Sequence, residues 1–418
     1  MIKAITGTKD ILPSEIFKWY YLEEIVKKVF NIYNYLEIRT PIFENTSLFS
    51  RSIGEETDIV SKEMYTMIDR SGNSITLKPE MTAGVVRAFI EHSLGEKNSL
   101  NKLYYISPMF RQERPQAGRL RQFHQFGAEA LGSNSPFLDA EMIEMAYFIL
   151  KQLGLKDIIV KINSLGTNQS REIYKKELRK FLIDKKDKLS DESKNRFEKN
   201  ILRILDSKSE LDQEILQQAP SIIDFLDEES KEHFEEVKIY LLELNIPFEI
   251  DTKLVRGLDY YTKTTFEIIS NKVGAQSSLC GGGRYDLLIE QLGGKSTPGV
   301  GFAAGMERIL LACENENTFN FSIRNIDIFI IRLDKELNLK VAQIASYFRN
   351  KGFIVEYDYL NRSVKSQMRE ANRLNSKFAI IVGGEEYKRG EIILKNLSDG
   401  SQRNFQLNQL NEIIDWVK

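Results

Sequence analysis

At 418 residues the chain has room for about three domains, and its 28% charged and 42% hydrophobic residues exclude a disordered chain. No apolar run approaches the roughly eighteen residues of a bilayer span, no leader-like stretch opens the sequence, and two cysteines with three scattered histidines give neither a disulfide framework nor a zinc-ligand spacing, so the expectation is a reducing, cytoplasmic setting. Net charge of −2 offers polyanions no general attraction, yet residues 326–418 hold 15 Lys+Arg against 12 Asp+Glu, so a nucleic-acid partner has to be sought in local patches.

Ser14 stands where a helix cap is wanted, and Leu22, Val26, Val29 and Tyr33 recur at helical spacing, predicting a helix to about Tyr33. Residues 37–43 read as a strand, which Pro41 restricts to an edge or a bulge. A hairpin is expected over 63–79, turning at 69–72, and a short helix over 85–91. Residues 103–110 and 122–131 read as two strands joined by an arginine-rich loop. In 139–153, Met142, Met145, Ile149 and Leu153 share a helical face, and Gly154 stops it. From about 168 to 245 the composition turns helical and dense in Lys and Glu, as an inserted helical domain would be. Strands return at 248–254, 264–269 and 277–280, followed by a glycine-rich stretch and a helix over 305–314.

The tail alternates. Residues 326–333 and 353–359 read as strands around a helix over 336–351, and a helix over 363–375 precedes the strand Phe378–Val382. Two more strands flank Asp399-Gly400, and a helix over 407–417 closes the chain. This is the pattern of a small α/β sheet covered by helices. Residues 1–322 instead mix hairpins and helices in an α+β pattern.

The loop Phe110-Arg111-Gln112-Glu113-Arg114-Pro115-Gln116-Ala117-Gly118-Arg119-Leu120-Arg121 crowds arginines between the two strands. Residues two apart on a strand share a face, which groups Arg111 with Glu113, and Gln125 with Gly127 and Glu129. Guanidinium forks suit bidentate contact with phosphate or carboxylate. A solvated arginine-rich hairpin has the same spacing, and the spacing leaves both readings open.

These motifs also carry a resemblance. Phe-Arg111-Gln-Glu with Arg119 resembles the second signature motif of class II aminoacyl-tRNA synthetases, and Gly299-Val-Gly-Phe-Ala-Ala-Gly-Met-Glu-Arg308 resembles the third. The first helix with the Pro41 strand is similar to the first motif, which forms that class's dimer interface. Leu254-Val-Arg256-Gly-Leu-Asp-Tyr260-Tyr261, Arg114-Pro-Gln-Ala-Gly-Arg119-Leu-Arg-Gln-Phe-His-Gln125, Gly7-Thr-Lys-Asp-Ile-Leu-Pro13, Lys78-Pro-Glu-Met-Thr-Ala83 and Gly281-Gly-Gly-Arg-Tyr-Asp286 narrow it to the histidyl-tRNA synthetase family. The resemblance covers the whole chain. It implies an α+β class II antiparallel-sheet catalytic domain over 1–322, interrupted by a helical insertion at 168–245 that leans on the tRNA acceptor stem, and a C-terminal α/β anticodon-binding domain over 326–418. The implied activity is a histidine–tRNA ligase, a homodimer acting on L-histidine, ATP and tRNA(His), with Mg²⁺ borne by ATP and no protein-held metal.

Residue roles follow from the same resemblance. Arg111 and Arg256 would be catalytic. Arg111 would hold the α-phosphate, Arg119 the γ-phosphate, Arg308 the phosphate tail or the adenine, and Glu113 the adenine. Arg256 would bridge the histidine carboxylate and the α-phosphate. Glu129 and Tyr261 would pair the imidazole, Tyr260 and Tyr285 would line its pocket, and Glu80, Thr82 and Gln125 would hold the α-amino group. Met81 departs from the family's usual glycine, which places a side chain beside that amino-group site.

In the tail, Arg362, Lys365, Arg369, Arg373 and Lys377 fall on one helical stripe. A solvated charged face gives the same pattern; on a synthetase-like body the stripe is expected to contact tRNA phosphates. His124 is expected to be structural, Gly281–Gly283 a close backbone approach, and Cys280 and Cys313 small buried hydrophobes. Gly293-Gly-Lys-Ser296 lacks the first glycine of a P-loop, since Ile289 stands there. The alternatives are a non-catalytic histidine-sensing regulatory subunit of ATP phosphoribosyltransferase, an RNA-binding protein on the same scaffold, and a synthetase for another amino acid.

Overall fold

In chain order the first strands are β1 (Leu36–Glu37), β2 (Phe43–Asn45), β3 (Tyr65–Ile68), β4 (Ser74–Leu77), β5 (Asn101–Phe110), β6 (Gln122–Leu131), β7 (Ile159–Ser164), β8 (Phe248–Ile250), β9 (Thr262–Ile269), β10 (Ser278–Arg284) and β11 (Gly299–Gly305). The computed structural model describes residues 1–54, 57–116, 118–319 and 326–417, in two units, Met1–Phe319 and Asn320–Lys418. Among the described residues no helix is long and apolar enough to cross a membrane.

Eight strands of the first unit form one sheet in the order β1-β5-β6-β11-β10-β9-β7-β8. It is antiparallel from β5 through β7, and only the edge strands β1 and β8 join in parallel. Strand periodicity then sorts the side chains. Phe126, Ala128 and Ala130 of β6, Val300, Phe302 and Ala304 of β11, and Phe266 and Ile268 of β9 face a core built with the helices Ile16–Ile32, Pro136–Gln152, Glu228–Glu243 and Met306–Asn315. The alternate positions, Gln125, Gly127 and Glu129 on β6, Gly301 and Gly305 on β11, Gly281 and Gly283 on β10, and Glu267 on β9, pair across the strands on the opposite face. That face carries the polar and glycine residues.

A buried ionic knot locks the helical side. Arg284, at the end of β10, donates through Nε to both carboxylate oxygens of Asp139 at 3.0 and 3.1 Å, and His233 Nε2 lies 2.8 Å from Asp139 Oδ2. Burial opposes the Asp139 charge, but Arg284 and His233 hold its pKa below the ordinary value. The knot ties the sheet to the helix Pro136–Gln152 and to Glu228–Glu243, the last helix before β8. Between β7 and β8 the described regular elements are all helical, and Thr167, Ser190 and Asp227 cap three of those helices through their side chains.

Three details differ from the expectations. The first helix begins at Ile16, with Glu15 at the cap position and no side-chain cap bond, so Ser14 does not cap it. The expected 37–43 strand is two pieces: Leu36–Glu37 pairs with β5, and beyond Pro41 the chain enters a separate sheet, β2-β4-β3. Proline has no N–H to continue the ladder, and the strand changes sheet there. β10 runs on through the glycines to Arg284, where a strand ending at 280 was expected. The hairpin of β3 and β4 turns at Asp69, whose Oδ1 accepts from the amides of Ser71 and Asn73, both at 2.8 Å.

The second unit contains β12 (Ile328–Arg332), β13 (Val355–Tyr357), β14 (Phe378–Val382), β15 (Glu391–Asn396) and β16 (Gln402–Gln406), ordered β13-β12-β14-β15-β16. The first three of these neighbours are parallel, the rest antiparallel. Ile328, Ile330, Ile380 and Val382 pack under the helices Asn338–Arg349 and Leu410–Val417, while Phe329, Ile331 and Ala379 meet Val364–Arg373. Residues 320–325, where the expected boundary falls, lie outside the described residues.

Candidate functional site

On the polar face of the large sheet a cleft of about 640 Å³ is lined by Arg111, Glu113, Arg119, Arg256 and Glu267 among others. A smaller hollow of about 160 Å³ shares Arg111, Glu113, Arg119 and Arg256 and adds Gln125, Gly281 and Arg308. Four arginines, two from one loop and two from distant parts of the chain, therefore border one continuous set of residues.

The Arg111 and Arg308 guanidiniums are held from behind. Arg111, just past β5, donates through Nε to Pro79 O at 2.9 Å and lies 5.3 Å from the Phe123 ring centroid. Arg308, in the first turn of Met306–Asn315, donates to Gly118 O at 2.9 Å and to Ser278 O at 3.0 Å. Burial, and then the like charges of Arg119 and Arg111, pull its pKa below the ordinary guanidinium value. Glu113 sits between the loop arginines, 2.7 Å from Arg119 Nε and 3.7 Å from Arg111 Nη1. The Arg119 contact is an ion pair without hydrogen-bond alignment, and the Arg119 side chain is 39% exposed, so it is free to turn toward an anion.

Arg256 lies over β10. Its Nη1 meets Glu267 Oε1 at 3.1 Å, and a Cβ on Gly281 would overlap its guanidinium. Glycine at 281 is thus a steric requirement for the arginine's seat. Burial works against the charge, but Glu267 with Tyr261, Cys280 and Tyr260 together outweigh it, and the pKa ends above the ordinary value. The sequence reading missed Glu267; its signal was an acid set among the β-branched and aromatic residues of β9.

The remaining expected residues form a second, closed cluster. Glu129 is 1% exposed and accepts from Thr82 Oγ1 at 2.7 Å, from Tyr105 Oη at 3.4 Å and from Tyr285 Oη. A Cβ on Gly301, its cross-strand partner, would overlap the carboxylate. Burial pushes the Glu129 carboxyl up to about 8, against the pull of those hydroxyls. Tyr260 lies 4.7 Å from Tyr261 and 5.6 Å from Tyr285 between ring centroids. All three rings are buried with Leu165, Leu288 and Ile289. Glu129, Tyr260, Tyr261 and Tyr285 do not line either cleft, whereas Gln125 does, its buried Oε1 having no partner among the described residues. Tyr105 was missed by the sequence reading, being an ordinary strand tyrosine there.

Two residues beside this cluster have partners of their own. Glu80 accepts from the amides of Thr82 and Ala83, both at 2.8 Å, one on each carboxylate oxygen, in starting the helix Thr82–Glu91. Met81 has φ of −105°, a conformation open to any residue, and its side chain packs with Val85, Leu103, Tyr105 and Met109. It fills a core gap. His124 is structural: its Nδ1 lies 2.9 Å from Glu307 Oε1, and its backbone amide donates to the same carboxylate.

In the second unit the basic stripe is not uniform. Arg362 is taken by Asp358 and by Glu370 at 3.2 Å, Arg373 by Glu370 at 2.6 Å, and Lys377 by Asp327 at 2.9 Å. Lys365 and Arg369 are exposed. Arg373 and Lys377 are exposed as well, so the stripe stays on the surface with three of its five cations ion-paired.

The chain matches the family model described as histidyl-tRNA synthetase over residues 7–309 and that described as anticodon binding domain over 327–418. It is 48% identical over 414 residues to a histidine–tRNA ligase of Caldanaerobacter subterraneus, covering 99% of each chain. It is 50% identical over 399 residues to that of Listeria monocytogenes, covering 95% of this chain and 94% of the other. The crystal structure of apo Staphylococcus aureus histidyl-tRNA synthetase superposes with a TM-score of 0.83 at 41% identity, covering 99% of both chains. Full-length similarity to proteins bearing the ligase name speaks against the regulatory-subunit alternative.

Proposed function

The chain belongs to the histidyl-tRNA synthetase family, and from that premise we propose how its residues divide the work of a class II histidine–tRNA ligase. The ligase reaction has two steps. The histidine carboxylate attacks the α-phosphorus of ATP, giving histidyl-adenylate and pyrophosphate; the acyl group then passes to the 3′-terminal ribose of tRNA. Negative charge grows on the phosphoryl oxygens in the first step, so catalysis asks for positioned cations.

The observation that carries this division is the convergence of Arg111, Arg119 and Arg256 on both clefts and of Arg308 on the smaller one. Arg111 holds the α-phosphate, Arg119 swings from Glu113 to the γ-phosphate, and Arg308 meets the tail or the adenine. Glu113 steers Arg111 and Arg119 before ATP arrives and then faces the adenine. Arg256, kept charged by Glu267, bridges the histidine carboxylate and the α-phosphate. Mg²⁺ enters as part of the nucleotide substrate.

Histidine's ring goes to Glu129, which the tyrosines cover in this structure. Ring entry requires Tyr261 to part from Tyr260 and Tyr285, with an imidazole N–H taking the place of one hydroxyl donor on Glu129. Gln125, with its unpartnered Oε1, and Thr82 receive the α-amino group; Glu80 supports Thr82 from the helix start. The second unit binds the anticodon of tRNA(His), and the insertion 168–245 leans on the acceptor stem. The site belongs to a cytoplasmic homodimer. The registers of β2, β4 and β3 put Phe43, Leu77, Tyr65, Ile75 and Met67 on one sheet face, and Phe43 and Met67 are 56% and 45% exposed, an apolar face that a second copy would cover.

Charging purified tRNA with each amino acid in turn tests the reading. Histidine alone should be esterified, and histidine should be required for ATP–pyrophosphate exchange. Charging with a different amino acid, or exchange without histidine, would overturn it.

A further inference from the structure

The parallel strands β13, β12 and β14 of the second unit end at one edge, where an open α/β sheet characteristically takes ligands. The loop leaving β13 at that edge is clamped from beneath. Buried Arg332 donates to Asp358 O and, at 2.8 Å, to Asn361 Oδ1, and the Asp358 carboxylate accepts from the Arg362 amide at 2.8 Å. The residues between the clamp points turn outward: Tyr359 is 63% exposed and Leu360 73%.

Tyr359 is not a loose surface ring. Its centroid lies 4.5 Å from that of Tyr357 at an interplanar angle of 35°, and the Arg349 guanidinium lies 5.3 Å from the Tyr357 centroid. Arg349 also bonds the phenol oxygens of both Tyr359 and Tyr357, so Tyr359 is held by the neighbouring ring and by this cation while it remains largely exposed. Arg349 is itself fixed through Nη2 to Val355 O at 2.8 Å. The loop then runs into Val364–Arg373, the helix that presents exposed Lys365 and Arg369.

A rigid, half-stacked ring beside two exposed cations suits one chemistry. Unstacked bases bind proteins by lying on aromatic faces, while neighbouring Lys and Arg take the phosphates. We propose that Tyr359 is the platform on which an unpaired base of the tRNA anticodon loop stacks, with Lys365 and Arg369 on the flanking phosphates. This rests on the reading of the second unit as the anticodon-binding unit, and it adds the residue that meets a base.

The test is steady-state aminoacylation by the full chain with Tyr359→Ala, Tyr359→Phe and the pair Lys365→Glu/Arg369→Glu, with tRNA-independent pyrophosphate exchange as the internal reference. Tyr359→Ala should raise KM for tRNA roughly five- to a hundredfold, the range of one lost base stack, whereas Tyr359→Phe keeps the ring and should stay within about twofold. On tRNAs made abasic at each anticodon-loop position in turn, one position should erase the Tyr359→Ala penalty. If the charge pair raises KM for tRNA but Tyr359→Ala does not, or if the penalty persists on every abasic tRNA, the stacking platform is wrong and the tRNA-binding reading stands. If neither the pair nor Tyr359→Ala alters KM for tRNA, both fall.

Discussion

Arg256 shows how much can depend on the shape of one cation. Its planar head rests over Gly281 while one nitrogen pairs with Glu267, leaving the other edge toward the cleft. A lysine has one compact ammonium on a flexible stem and cannot reproduce the planar fork that meets Glu267 with one nitrogen and a substrate anion with another in fixed geometry. Arg256→Lys should lower the rate of histidine-dependent pyrophosphate exchange by about a hundredfold or more, the usual cost of losing a positioned donor to a developing anion. An unchanged exchange rate would remove Arg256 from its proposed role. Glu129 offers a different experiment. Its carboxyl is raised by burial to about 8 in the folded chain and ionises near about 4.3 when unfolded. Between those values the folded state holds the extra proton, so this group's contribution to stability is full at low pH and is lost as pH rises through the window. Glu129→Gln cannot titrate. The unfolding free energy of the Gln variant should therefore gain on the wild type from about pH 5 to about pH 8, by up to a few kcal/mol at about 1.4 kcal/mol per pKa unit, read in denaturant melts across that range. A difference that ignores pH would show that Glu129 ionises freely.

At the scale of elements, the glycine-bearing strands β10 and β11 are the floor on which the large side chains rest. On that face Gly281 and Gly301 have no Cβ, and Arg256 and Glu129 occupy the space. Gly281→Ala should leave the sheet paired, since its backbone lies within a regular ladder, while pushing Arg256 from its seat. Exchange activity should then fall at least about tenfold at saturating histidine, with a melting temperature within a few degrees of wild type, because the methyl displaces a side-chain head that can swing into the open cleft while the strand ladder stays paired. Comparable losses in activity and melting temperature would mean that Gly281 serves the fold instead.

For the whole molecule, the open question is what covers the β2-β4-β3 face. Phe43 and Met67 stand largely in water on it, and an exposed apolar sheet face of that kind marks an association surface. Met67→Asp should shift sedimentation from dimer to monomer at micromolar concentration. A dimer that survives the charge would place the interface elsewhere.

Much of the architecture was legible because it rests on local chemistry. Period-2 alternation gave β5 and β6, the helical stripe in 139–153 gave the helix beneath them, and Asp69 with Gly72 gave the turn. The glycine run over 281–283 hid a strand, since its residues carry no side-chain pattern and become a strand only when β9 and β11 pair on either side. Charges were legible as types and not as partners. Nothing local says that Glu370 pairs with both Arg373 and Arg362, or that Glu267 stands beneath Arg256. Sequence by itself determined which residues could bind phosphate and imidazole, because guanidinium, carboxylate and phenol chemistry belongs to the side chain. Tertiary structure decided which of them meet, which are already engaged, and that the cleft stands open while the pocket around Glu129 is shut, because burial and partnership depend on strands brought together from far along the chain.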